Sequence, residues 1–224
     1  MSTGGIELNG MVLRAAAAGE YDRRITLLTR ERGKITAFAR GARKPGSALI
    51  AATVPFAFGR FRVYEGKSAY TCVAAEVRNY FETLKTDFIG ACYGAYFMEF
   101  ADYYAQENLD GTDMLNLLYV SLLALEKDAV PDELVRCAFE VRLMVQAGEF
   151  PVQITQEESI SLSARQAFYH MITAPLGKLF AFRVTEEVLS ELSARQDRIR
   201  RQGVDRTFHS LEVLDSMLKT VGSR

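Results

Sequence analysis

Nine basic residues near the N-terminus, Arg14, Arg23, Arg24, Arg40, Arg43, Lys44, Arg60, Arg62 and Lys67, fall where short strands or their connections are expected. Cations spaced along strands can neutralise a run of phosphates, and rings between them can stack on bases. Period two puts Arg60 and Arg62 on one strand face with Phe56, Phe58 and Tyr64, and Arg24 on a face with Thr26 and Leu28. Arg40 leads into a Gly/Pro-bounded loop that carries Arg43 and Lys44. No pattern suited to reading base edges accompanies them, so the chemistry expected is independent of nucleotide sequence. The competing reading is a solvated outer face with the rings turned into the barrel.

Charge is divided along the chain. Residues 1–80 carry 13 Lys/Arg and 6 Asp/Glu, a net of +7, while residues 81–224 carry 14 and 22, a net of -8. Such asymmetry favours polyanion binding by the front part. In total the chain has 224 residues, is 49% hydrophobic and 25% charged, and has a net charge of -1. These values exclude collagen-like, coiled-coil and wholly disordered classes.

Other chemistry finds little support. There is no Walker loop, GxGxxG or GxSxG. The acidic pairs Glu157-Glu158 and Glu186-Glu187 are adjacent and do not converge as an acid/base couple would. The Ser-rich run 159–163 lacks a nearby base, and His170 reads as packing or surface. No catalytic residue is nominated, and an enzyme is not expected. Cys72, Cys92 and Cys137 form no CxxC pair and read as buried thiols of a reducing compartment. His170 and His209 have no partner at metal-ligand spacing, so neither metal nor cofactor is expected. No apolar run approaches the length of a membrane span, and the N-terminus does not resemble a signal peptide. A cytoplasmic location is expected, without membrane or small-molecule partners.

The elements that must position the cations read as follows. Strands are expected over Ile6 to Ala17, Asp22 to Thr29, Lys34 to Arg40, Phe56 to Tyr64 and Tyr70 to Ala75. In the first, Met11, Leu13 and Ala15 share one face, opposite Val12 and Arg14. Gly33 supplies the positive φ of a tight hairpin. Five short strands in this length fit an OB-fold barrel, a fold that commonly binds nucleic acid. Helices are expected over Phe88 to Ala105, Thr112 to Glu126, Pro131 to Ala147 with Gly148 beyond its end, from Ser163 to before Pro175, from Thr185 to Gly203, and over Phe208 to Leu218. Ser163 and Gln166 form an S-x-x-Q capping box. The fold class is therefore α+β, with an OB-fold nucleic-acid-binding domain over residues 1–80 and an all-helical domain for partner binding over 81–224.

The run GMVLRAAAAGEYDRRITLLTRERGKITAFARGARKP resembles the N-terminal domain of the RecO family of DNA repair proteins. The shared pattern is G-E-x-D, then L-L-T-x-x-x-G-K-I, then A-R-G-A-R-K-P. It continues through Phe56-Ala-Phe-Gly-Arg-Phe, Tyr93 to Glu99, Phe139-Glu-Val-Arg-Leu, Gly148, Pro151 and Phe208-His-Ser-Leu-Glu-Val-Leu. The resemblance implies a bacterial, nucleoid-associated recombination mediator. Such a protein binds single- and double-stranded DNA and anneals complementary strands. It works with RecR, engages the acidic C-terminal tail of single-strand-binding protein, and helps load RecA. A cationic rim for that tail would fall to Arg136 and Arg142 on the helix from Pro131. One departure is visible: many relatives carry a four-cysteine zinc module after the Gly-x-x-Pro segment, and here no cysteine follows Cys137. The alternatives are an RNA-binding OB protein and a scaffold whose barrel binds only protein.

Overall fold

A computed structural model describes residues 4–127 and 129–222. Five strands, β1 (Ile6–Ala18), β2 (Asp22–Thr29), β3 (Gly33–Ala39), β4 (Phe58–Glu65) and β5 (Tyr70–Asn79), close into a barrel in the order β1-β2-β3-β5-β4. All pairs are antiparallel except the short β3–β5 pair, Ala37 to Ala39 against Tyr70 to Cys72. This is the five-stranded OB barrel expected from the strand count. Four residues, α1 (Leu49–Ala52), form a helical turn between β3 and β4 that the sequence pattern did not announce.

Alternation explains the barrel interior. Ile25 and Leu27 of β2, Ile35, Ala37 and Ala39 of β3, and Phe61 and Val63 of β4 point into one core with Leu8, Val12 and Cys72. Each large apolar side chain in it contributes roughly 1.5–3 kcal/mol. The face assignment in β1 needs correction. Val12 pairs with Leu27 but Arg14 pairs with Thr26, so Leu13 is an extra residue in a β-bulge. The bulge resets the phase: Val12 and Ala15 pack on the core, and Arg14 turns outward. β4 starts two residues later than expected because Phe56 has φ 73, a left-handed conformation that interrupts a strand. β5 runs four residues further, to Asn79.

The chain separates into two compact units, Met1–Glu82 with Ala105–Asn116, and Thr83–Tyr104 with Leu117–Arg224. The barrel unit thus includes a strap from later in the chain. The Lys34 amide donates to the Gln106 carbonyl at 2.9 Å, Asn108 to Arg32 at 3.0 Å, and Gly111 to Arg30 at 2.9 Å. The strap comes close at Gly33, which takes φ +60. A Cβ there would lie 2.3 Å from the Gln106 oxygen and 2.8 Å from that of Leu109.

The helices are α2 (Glu82–Thr86), α3 (Phe88–Tyr104), α4 (Thr112–Leu125), α5 (Asp132–Gln146), α6 (Leu162–Thr173), α7 (Glu186–Gly203) and α8 (His209–Gly222). The aromatic stripe of α3 is core: Tyr96, Phe97 and Phe100 are fully buried. Phe97 stacks on Phe139 of α5 at 4.4 Å, and Phe100 meets Phe208 edge-on at 5.2 Å. Aromatic pairs of this kind contribute about 0.5–1.5 kcal/mol beyond their buried area. Gly148 takes φ +75 just past α5, as a C′ glycine should. The cap of α6 is a correction. Ser161, not Ser163, accepts from the Ala164 amide, and Glu191 of α7 in turn accepts from the Ser161 amide and hydroxyl. Thr185 caps α7 through the Val188 amide.

Candidate nucleic-acid interface

The barrel sorts the nine cations into three places. Arg14 is exposed on β1, opposite Thr26, and Arg24 is exposed on β2 between Ala16 and Phe38. Diagonal neighbours of this kind lie about 7–8 Å apart. Arg40, Arg43 and Lys44 follow the end of β3 and are all exposed. The Arg43 amide donates to the Tyr21 carbonyl at 2.8 Å, and its guanidinium reaches the carbonyls of Gly19 and Glu20 at 3.4 and 3.3 Å. Asp22 accepts from the Gly41 amide at 2.7 Å. These bonds bind the basic loop to the β1–β2 turn, so Arg24, Arg40, Arg43 and Lys44 share one end of the β1–β2–β3 surface, and Arg14, level with Thr26 and Thr36, extends the set to five toward the middle of the strands. Lys44 Nζ sits 5.4 Å from the centre of the Tyr21 ring.

Arg23 points elsewhere. Its guanidinium donates to the Ile50 carbonyl at 2.8 Å and to Thr53 Oγ1 at 3.0 Å. It thereby satisfies carbonyls at the end of α1, which no following turn could reach.

The β4 cations are matched by carboxylates. Arg60 bonds Glu76 at 2.7 Å and lies 3.4 Å from Glu7. Both carboxylates, Glu76 foremost, hold its guanidinium above the usual value. Arg62 faces Glu7 across the β1–β4 ladder. Lys67 is exposed in the β4–β5 turn, away from the five.

The two helical arginines are built into the bundle. Arg136 is 6% exposed, with Nη2 3.2 Å from Asp197 and Nε 3.8 Å from the fully buried Glu140. Burial would lower its pKa, but Glu140 and Asp197 outweigh it and raise it. Glu140 also accepts from the Tyr96 hydroxyl at 2.7 Å and from Gln196 at 3.1 Å, with Arg200 Nε at 3.8 Å. Arg142 donates to the Ile172 carbonyl at 2.6 Å and to the Ala174 carbonyl, closing the C-terminal end of α6.

Of the rings that sequence reasoning set beside Arg60 and Arg62, Phe56 is buried, Phe58 is half-buried and Tyr64 is exposed; two rings it did not nominate stand exposed among the five cations, Phe38 at 38% and Tyr21 at 42%. The signal for Phe38 was present, since strict alternation in β3 puts it on the Arg40 face. Tyr21 lies in a turn and carried none. Among the described residues, no group of three or more His, Cys, Asp or Glu side chains is arranged to hold a metal ion. No helix among them is long and apolar enough to cross a membrane.

Comparison with known proteins agrees with this architecture. Residues 1–81 match the family description "Recombination protein O N terminal", and residues 85–156 match "Recombination protein O C terminal". The "DNA repair protein RecO" of Acetivibrio thermocellus is 27% identical over 95% of this chain and 97% of its own. Those of Alkaliphilus metalliredigens and Heliobacterium modesticaldum are 34% and 38% identical over 65% and 63% of this chain. The matched stretch spans 59% and 50% of those two proteins. With both of the family's domains matched in order on a barrel followed by helices, the chain belongs to the RecO family.

Proposed function

We propose that this protein is a recombination mediator in DNA repair, acting by non-covalent binding rather than catalysis. The observation that carries the reading is the exposure of Arg24, Arg40, Arg43 and Lys44 at one end of the β1–β2–β3 surface, with Arg14 diagonal to Arg24 and Phe38 beside it. Cations so placed release counterions from a phosphate backbone and give affinity for single- and double-stranded DNA without sequence choice. Two strands held with their charge neutralised are free to pair, which is annealing. Arg60, Arg62 and Lys67 add to the long-range field, though Glu7 and Glu76 weaken the contribution from β4. Arg23 contributes by fixing α1 beside β2.

Residues 1–80 serve here as the DNA-binding domain and 81–224 as the partner domain, whose net charge of -8 disfavours DNA. Family membership supports RecR and the acidic tail of single-strand-binding protein as partners, with RecA loading on coated DNA as the outcome. Arg136, buried, and Arg142, half-buried, support that domain by holding α5 to α7 and α6. The testing experiment is annealing of complementary oligonucleotides, bare and coated with single-strand-binding protein. Acceleration on both, reduced by Arg43→Ala/Lys44→Ala, is expected. Binding to RNA in preference to DNA at equal salt would point instead to an RNA-binding OB protein.

A further inference from the structure

Phe38 is an exposed ring on a strand whose flanking residues, Ala37 and Ala39, are fully buried. Alternation therefore turns it squarely outward. The ladder pairs place it in a lateral row running Ala16, Arg24, Phe38, Thr71, Tyr64 across β1, β2, β3, β5 and β4. Arg24 stands one strand away on one side, about 4.8 Å in the direction of the ladder. On the other side Thr71 separates it from Tyr64, which is 43% exposed. Val73, an extra residue in the β4–β5 bulge, is equally exposed on β5.

An outward ring beside a cation matches the two halves of one nucleotide. A guanidinium takes the phosphate while the ring takes the face of the attached base. In a duplex every base face is already covered by its neighbours in the stack, so a ring on the barrel surface has nothing to receive. An unpaired strand offers that face freely. The cations of this end cannot make the distinction, because both forms present phosphates. Resting on the proposed reading of the barrel as the DNA-binding face, we infer that Phe38 is a base-stacking residue that makes this surface prefer single-stranded over double-stranded DNA. Tyr64 is the next stacking position along the same row.

The test uses the full chain, an oligothymidine and a duplex of equal length, at one salt concentration. Phe38→Ala should weaken binding of the single strand roughly 5- to 150-fold, the range for removal of one base stack. Duplex affinity should change less than about 2-fold, and the salt slope should stay constant because every phosphate keeps its cation. Phe38→Tyr, which keeps the ring, should restore single-strand binding. Unchanged circular dichroism is expected of both variants because the side chain is on the surface. Equal weakening on single strand and duplex, or none on either, would overturn the stacking assignment while leaving the cationic face intact. A wild-type protein without salt-dependent DNA affinity would overturn the underlying reading and this inference with it.

Discussion

Replacing Gly33 by alanine tests how the barrel is held. The residue sits at φ +60, and an L side chain in that region costs about 1–2 kcal/mol. The added Cβ would also lie 2.3 Å from the Gln106 oxygen and 2.8 Å from the Leu109 oxygen, both backbone atoms that cannot swing aside. Strap or hairpin must move, which endangers the Lys34–Gln106 and Asn108–Arg32 hydrogen bonds at 2.9 and 3.0 Å. Each is worth about 1 kcal/mol net. The expected destabilisation of the barrel is thus about 3–4 kcal/mol. Gly46 is the control: it has φ +79, but no atom lies within 4 Å of its would-be Cβ, so Gly46→Ala should show the conformational strain alone. Hydrogen exchange of β2 and β3 amides reads the opening free energy of this unit without assuming a single global transition. If Gly33→Ala costs no more than Gly46→Ala, the close approach of the strap does not stabilise the barrel.

Further expectations concern the helical unit and the loop. Glu140→Gln should destabilise that unit by about 3–5 kcal/mol in urea denaturation, because it leaves Arg136 and Arg200 buried with Asp197 as their remaining carboxylate; a change under 1 kcal/mol would contradict the network. Burial alone would raise the pKa of Glu99, but bonds from the Ser210 hydroxyl and amide, with Arg206, outweigh it and hold the carboxyl below its ordinary 4.5. A depressed folded pKa gives stability that is present above 4.5 and lost as pH falls through the folded value. Acid titration should therefore show a smaller loss of stability below pH 4.5 in Glu99→Gln than in the parent, and identical profiles would exclude Glu99 as a source of acid sensitivity. Arg43→Ala/Lys44→Ala should weaken DNA binding at low salt with only a small fall in melting temperature, since the bonds lost to Gly19 and Glu20 are long and exposed while the Arg43 amide keeps its bond to Tyr21; unchanged affinity would remove the loop from the interface.

Local chemistry made much of the fold legible. Apolar alternation located β2 to the residue, and Pro131, Gly148 and Thr185 marked helix ends where caps form. Where expectation failed, the cause was non-local or irregular. A bulge at Leu13 reversed the face of Arg14, which period two cannot foresee. The last turn of β5, Glu-Val-Arg-Asn, has one apolar residue and owes its strand form to pairing with β4. Ser161 and Ser163 are equivalent as sequence signals, and Glu191, thirty residues away, is bonded to the first of them. The bonded part of the strap, residues 105–111, is polar loop by composition, and its partners lie more than seventy residues earlier. The candidate site was legible as a set of cations but not as an arrangement. Arg14, Arg24 and Arg23 look alike in sequence, yet Arg23 serves the α1 carbonyls, as Arg142 serves those of α6.

The central claim is that the β1–β2–β3 end of the barrel is the phosphate-binding surface. Its most direct measurement is the slope of log affinity against log salt for single-stranded DNA, in the full chain and in two triple-alanine variants. Each phosphate that is no longer neutralised should reduce the slope by about 0.7. Removing Arg24, Arg43 and Lys44, exposed on the barrel, should flatten it by up to about 2. Removing Arg198, Arg201 and Arg206, exposed on the helical unit, should leave it essentially unchanged. A slope that survives the first variant and falls in the second would place DNA on the helices and contradict the claim.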